Sequence, residues 1–210
     1  MFITAEMRWF WPACPSDLKS WFFDHAPTPG GGQPRCDEYL RHPNQSELGI
    51  KKRGTQDYVE VKGLVATLRH PNLMPLAPHH ELWCKWTSEN LILDKQNSFV
   101  TEKVRWIRKF DTSQVTVAEV PLGPEEAPLD GISRREGCNL SLTNVQIVGV
   151  SRRWWTFGFE AYGNFESVSN NLRATTNYVR AQSFPKPNGS FLSYPAWLSQ
   201  FAAKAVIATA

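Results

Sequence analysis

What the sequence lacks narrows its reading first. Cysteine is sparse: Cys14, Cys36, Cys84 and Cys138 lie far apart, with no C-x-x-C pair and no zinc-type spacing. That excludes a thiolate-held metal and reads as reduced, structural thiols of a cytoplasmic protein. A strong excess of one charge is missing too. The formal balance is only +3, far from that of a dedicated nucleic-acid binder, so any preference for anions has to come from local placement of charge. No apolar run approaches the length of a membrane span. The opening MFITAEMRWFWPAC carries Glu6 and Arg8 inside its apolar stretch, and so has neither the basic start nor the clean apolar middle of a signal peptide. The triple glycine at 30–32 is followed by no Gly-Lys-Ser/Thr and is therefore not a phosphate loop. There is no internal repeat and no low-complexity tract.

What is present is a folded chain. Hydrophobic residues make up 41% of it and tryptophan occurs nine times, which rules out wholesale disorder. A length of 210 residues suits one domain, spanning 1–210, with one sizeable core. MFITAEMRWFW alternates as a first strand, and PSDLKSWFFDHA follows with Ser16 as a plausible N-cap ahead of an apolar stripe of Leu18, Trp21 and Phe22. PTPGGGQPR reads as a loop from its glycine and proline density. Strand patterns then come in quick succession: RCDEYLR, LGIKKR, DYVEVKGLVATL, ELWCKWTS, FVTEKVRWIRKF, SQVTVAEV, CNLSLTNVQIVG and WWTFGFEAYG. Their regular spacing and Asn, Gly, Pro, Ser and Asp boundaries argue for an antiparallel meander or barrel over a βαβ arrangement. Helical spacing returns only in FESVSNNLRATTNYVRA and in SYPAWLSQFAAKAVIA, where a serine and a proline sit at the expected N-terminus.

Successive strand side chains point to opposite faces, so the apolar partners in each strand tell which face the polar ones occupy. On that basis Thr4, Glu6 and Arg8 share a face. So do Lys51 and Arg53, Glu60 and Lys62, Lys85, Lys103 and Arg105, Asn139 and Ser141, and Glu160. One charged strand face is ordinary. Six or more that all alternate with apolar residues imply a closed sheet, with its apolar side chains packed outward against helices and its charged ones lining an interior. Like charges gathered there repel one another and lose hydration unless an anion or counter-charges join them. The expected fold is therefore mainly β with helices (α+β), a closed antiparallel barrel or tunnel of about eight strands. The fitting guest is a polyanion, since Arg and Lys match phosphate oxygens and neighbouring carboxylates can hold a bridging divalent cation. Two other stretches carry less. His79, His80 and Glu81 in APHHELW read as incidental loop residues, because adjacent side chains diverge. SRRWWTF, with its basic and aromatic mix, reads as a turn entering a core strand in preference to a single-stranded nucleic-acid platform.

The ordered set resembles the CYTH domain, or triphosphate tunnel metalloenzyme, family, whose hallmarks are an E-x-E-x-K first strand, R-x-R-like, E-x-K and K-x-R strands, and late acidic strands. Here Thr4-x-Glu6-x-Arg8 stands first, then Lys51-x-Arg53, Glu60-x-Lys62 and Lys103-x-Arg105, with Glu160 in a late strand and SYPAWL similar to the family's closing helix. The resemblance covers nearly the whole chain. It implies binding of a small-molecule triphosphate or polyphosphate, with hydrolysis of inorganic, nucleoside or thiamine triphosphate aided by Mg²⁺ or Mn²⁺. The roles it implies are catalytic for Glu6, Lys51 and Arg53. Substrate contact is implied for Arg8, Lys51, Arg53, Lys62, Lys85, Lys103 and Arg105, and metal ligation for Glu6 and Glu160. It departs from the family at Thr4, Arg8, Asn139 and Ser141. Arg keeps the charge of Lys without its geometry, and the other three remove carboxylates from the metal site. The alternative is a relative that binds polyphosphate or a nucleotide without turning it over. No membrane and no nucleic-acid partner is expected.

Overall fold

The computed structural model describes residues 2–24, 30–41, 46–54 and 56–207. Along the chain these form β1 (Phe2–Trp11), α1 (Ser16–Asp24), β2 (Gly30–Leu40), β3 (Leu48–Arg53), β4 (Val59–Leu68), β5 (His80–Ser88) and β6 (Ser98–Asp111). There follow β7 (Ala118–Val120), β8 (Gly137–Ile147), β9 (Arg153–Gly163), α2 (Val168–Ala181), β10 (Ser190–Phe191) and α3 (Tyr194–Ile207). Eight strands hydrogen-bond in the order β1-β5-β4-β3-β2-β6-β8-β9, and β9 returns to β1 over Ile3 to Trp11, so the sheet closes into an antiparallel barrel flanked by three helices. Closure removes the free strand edges that an open sheet of this size would expose. The short β7 adds to the end of β6, and β10 pairs with β1 at Trp9 and Phe10, beyond the reach of β5. Among the described residues no helix is long and apolar enough to cross a membrane.

The period-2 alternation of the strands divides the molecule into two interiors. Ala5, Met7 and Trp9 of β1, Leu140 and Leu142 of β8, and Phe157 and Phe159 of β9 point outward. They are buried beneath Leu18, Trp21 and Phe22 of α1 and Val168, Leu172 and Val179 of α2. The principal hydrophobic core thus lies outside the barrel, as the alternation predicts. A second apolar cluster fills one end of the lumen. There Phe10, Tyr39, Phe99, Val145 and Ile147 pack against Trp197 and Leu198 of α3. Phe10 stacks on Trp197 at 4.8 Å between centroids, and Tyr39 stacks on Tyr194 at 6.1 Å. Ser193 starts that helix, its hydroxyl oxygen accepting the Ala196 N–H at 3.3 Å, with Pro195 in the first turn where a missing N–H costs nothing. α3 is therefore a stopper, and the rest of the lumen is a cavity sealed at that end.

Two expectations need correction, and one element had no expectation. Gly30 to Arg35, expected to be loop, belongs to β2, while 27–29 lie outside the described residues. Gly31 and Gly32 have φ of 102° and 90°, and the register with β6 slips between Gly31 and Pro34. The glycines serve a bulge. A Cβ at Gly31 would lie 2.3 Å from the Arg105 carbonyl oxygen. SQVTVAEV forms strand only over Ala118–Val120. Its start is pulled into a turn by Asp111, whose Oδ1 accepts the Ser113 N–H and hydroxyl at 2.9 and 2.7 Å. The two-residue β10 carries no sequence pattern of its own and exists because it docks on β1.

Candidate functional site

The cavity has a volume of about 550 Å³, within the usual range of small-molecule sites, about 300–1,000 Å³. Every charged residue assigned to the interior from alternation lines it: Glu6 and Arg8 (β1), Lys51 and Arg53 (β3), Glu60 and Lys62 (β4), Lys85 (β5), Lys103 and Arg105 (β6) and Glu160 (β9). Asn139 and Ser141 of β8 line it as well, while Thr4 is fully buried behind Glu6. The structure adds Arg35 and Tyr39 from β2, Lys109 from β6, Thr143 from β8, Tyr194 from α3 and Glu126 from the connection between β7 and β8. Arg35, Asp37 and Tyr39 alternate in RCDEYLR just as the recognised set does, and Lys109 shares the parity of Lys103 and Arg105. That signal was available. Glu126 and Tyr194 carried none, since a loop and a helix bring them in.

Nine basic side chains line the cavity. With Asp37 behind Lys103 and Glu81 of β5 beside Glu6, they share six carboxylates among the described residues. Three ion-pair groups result. In the first, the β1–β9 register sets Glu6 opposite Glu160, and Lys85 reaches both, 3.1 Å from Glu6 Oε1 and 2.7 Å from Glu160 Oε1. Lys62 contacts Glu6 Oε2 at 2.5 Å, and Thr4 Oγ1 donates to Glu6 Oε1 at 2.7 Å. In the second, Lys103 donates to Asp37 Oδ2 at 2.8 Å and to the Tyr39 hydroxyl at 2.6 Å, with Arg35 3.9 Å from Asp37. In the third, Glu60 holds Lys51 at 2.7 Å and Arg53 at 3.4 Å. Apart from these, Arg105 pairs through both its Nε and Nη2 with Glu126, a residue in left-handed backbone at φ 62°. Among the described residues Arg8 makes no close salt bridge, and its carboxylate neighbour is Glu81, which it reaches electrostatically. It donates to Thr156 Oγ1 at 3.3 Å and lies over the Tyr194 ring. Its space exists because residue 158 is glycine: a Cβ there would sit 2.7 Å from the Arg8 guanidinium carbon.

Burial and pairing pull the protonation states apart. Burial pushes the Glu6 carboxyl upward, but Lys62 and Lys85 together outweigh it and hold it well below the usual carboxylate range. Burial likewise raises Asp37, and Lys103, Lys51 and Arg35 overcome it to hold that carboxyl far down. Lys85 loses to burial less than it gains from Glu160 and Glu6, so it is held protonated, above its ordinary value. Lys62, with Glu6 as its nearest counter-charge and Lys85 against it, is lowered by burial to about 8. Lys103 is lowered by burial to about 7 in spite of Asp37.

The Glu6 and Glu160 carboxylates of the cavity are already engaged by ammonium groups, which bears on a divalent metal. Mg²⁺ needs about six oxygens near 2.1 Å and usually one or two free carboxylates. Both Glu6 oxygens are engaged by ammonium groups, one Glu160 oxygen is engaged by Lys85, and Thr4, Asn139 and Ser141 contribute only neutral oxygens. Among the described residues no three or more His, Cys, Asp or Glu side chains gather as a metal site. The residues do not fit Mg²⁺ or Mn²⁺.

Of the two other stretches only Glu81 reaches the charges of the cavity, opposite Glu6 and within electrostatic range of Lys62 and Arg8; Glu81 and His80, expected in a loop, belong to β5. His80 Nε2 lies 3.1 Å from Ser169 Oγ on α2, His79 meets Phe191 edge-on, and Glu81 accepts the Trp83 indole N–H at 2.9 Å. Trp154 packs on Trp197 and Phe201, and Trp155 stacks on Trp106, so SRRWWTF leads into packed structure. No protein-family model and no curated protein matches the sequence.

Proposed function

We propose that the chain binds an anion of linked phosphates, a triphosphate or a polyphosphate, inside the barrel. The observation that carries this reading is the excess, among the described residues, of nine cations over six carboxylates around a cavity sealed at one end by α3. Uncompensated like charges in a low-dielectric lumen are costly, and a guest with several negative oxygens relieves that cost all along its length. The Arg and Lys side chains of β3, β4 and β6 lie on adjoining walls of the lumen, with only β2 between β3 and β6, and such a run of cations suits a chain of phosphates better than one compact anion. The resemblance to the CYTH family supports the same guest. Hydrolysis has weaker support. Glu6, the first candidate base, is kept ionised by two ammonium groups and is a poor acceptor for a water proton near neutral pH.

The test is binding and turnover together. Inorganic triphosphate and ATP, titrated calorimetrically, are expected to bind and to raise the melting temperature, by about 2.7 kcal/mol of stability at 100 times Kd. Lys51→Ala and Arg53→Ala each weaken binding about tenfold, about 1.4 kcal/mol. Phosphate release is followed in parallel with Mg²⁺ and with Mn²⁺. Metal-dependent release abolished by Glu6→Gln restores hydrolysis as the function. If neither heat nor melting temperature responds to triphosphate, the cavity is not a phosphate site.

A further inference from the structure

We propose that Lys85 is the resident cation of this site: its ammonium occupies the place between Glu6 and Glu160 that a bridging divalent ion would take, and the phosphate chain binds without such an ion. The proposal deepens the anion-binding reading and rests on it only for the phosphate arm. Register sets up the geometry. Glu6 and Glu160 are direct partners on β1 and β9, so their carboxylates leave the wall side by side on the lumen face. Two such carboxylates repel unless a cation lies between them. Lys85 enters from β5, on the other flank of β1 and level with Phe2, and bridges the pair at 3.1 and 2.7 Å. An ammonium has three N–H donors, so two serve the carboxylates and one remains for a phosphate oxygen. That reproduces what a bridging metal does, with carboxylates on one side and substrate oxygen on the other. Lys62 takes the remaining Glu6 oxygen and has Trp83 beneath it at 4.3 Å, which leaves no free edge on that carboxylate for an ion to enter.

The test uses Mn²⁺ alone first. Electron paramagnetic resonance counts free Mn²⁺ during titration of the wild-type protein, Lys85→Ala and Lys85→Met, the last retaining side-chain bulk. The wild type is expected to leave Mn²⁺ free, whereas the variants bind it at least about tenfold more tightly, equivalent to about 1.4 kcal/mol, and Glu160→Gln on either variant abolishes the gain. In the second arm triphosphate affinity is measured with chelator and with Mg²⁺. The wild type is indifferent to Mg²⁺; Lys85→Ala is weakened in chelator and rescued by Mg²⁺. Mn²⁺ bound as tightly by wild type as by the variants overturns the proposal, as does a folded variant that gains no Mn²⁺ binding. If triphosphate fails to bind the wild type at all, the anion reading falls, while the Mn²⁺ arm still decides whether Lys85 fills a cation site.

Discussion

At the scale of single residues the cavity is a set of local bargains between burial and charge. Lys103 and Asp37 have side chains only 2% and 0% exposed, and each makes the other tolerable. Asp37→Asn removes the counter-charge, and the direction of the pH effect can be worked out. At pH 6, below the value of about 7 that Lys103 has with Asp37 beside it, the variant either holds a buried ammonium against a neutral amide or sheds its proton, because losing Asp37 lowers Lys103 further, and the loss is up to about 3–5 kcal/mol. At pH 9 Lys103 is already neutral, and the loss is smaller. Urea unfolding at the two pH values measures the difference; equal losses would mean that Lys103 is not the group made unstable. Gly158 and Arg8 make a second bargain, because the missing side chain on β9 is what admits the guanidinium on β1.

At the scale of elements, the strand walls supply charge and other segments decide access to it. The connection between β7 and β8 is anchored by Leu122, fully buried with Ile107 and Val120, and by a turn in which the Gly123 N–H donates to the Ala127 carbonyl at 2.8 Å. That turn holds Glu126 on Arg105, so an internal carboxylate occupies a fork that matches a phosphate. Glu126→Gln frees the fork and is expected to tighten triphosphate binding about tenfold, equivalent to about 1.4 kcal/mol; calorimetry with an unchanged or weaker Kd would show that the pair helps binding instead. α3 acts at the other end. Trp197, 1% exposed and stacked on Phe10, gives the stopper its grip, and Trp197→Ala is expected to cost about 3–5 kcal/mol of stability in denaturant unfolding. Much of this was legible in advance. β3 runs from Leu48 to Arg53 as its pattern indicated, and the helix at Tyr194 starts at the serine and proline that marked it. Glu126 was not legible, because a loop side chain has no periodic neighbour to say which way it turns.

At the scale of the whole molecule, the charge excess couples anion binding to protons. Lys103 near 7 and Lys62 near 8 shed protons from the unliganded cavity, and an arriving anion draws them back. Triphosphate binding therefore takes up protons, and its affinity falls as pH rises from 7 to 9. The stability of the unliganded protein moves the other way. The unfolded chain, with ordinary lysines near 10.4, binds more protons in this window than the folded one, so the contribution of these two groups to stability rises with pH between about 7 and 10. Calorimetry in buffers of different ionisation enthalpy reads the proton uptake, and urea unfolding across the range reads the stability; affinity and stability rising together would contradict the assignment. The depressed carboxylates of Glu6 and Asp37 act at the acid end, where their stabilisation is present above about pH 4 and lost as pH falls.

What the sequence determined by itself was the sorting of side chains to two faces. A strand's period of two is a property of the backbone, so Lys51 and Arg53 share a side, as do Lys103 and Arg105, and the apolar residues alternating with them mark that side as the one turned from the hydrophobic core. Tertiary structure alone decided which of those charges meet. The Glu6–Lys85–Glu160 bridge depends on β9 returning to β1 with Glu160 opposite Glu6 and on β5 lying along the other edge. Those are pairings between segments far apart in the chain, and no local pattern encodes their register. The stopper, the Glu126 turn and the bulge at Gly31 are of the same kind: each is fixed by what it packs against, and so could be read only from the folded molecule.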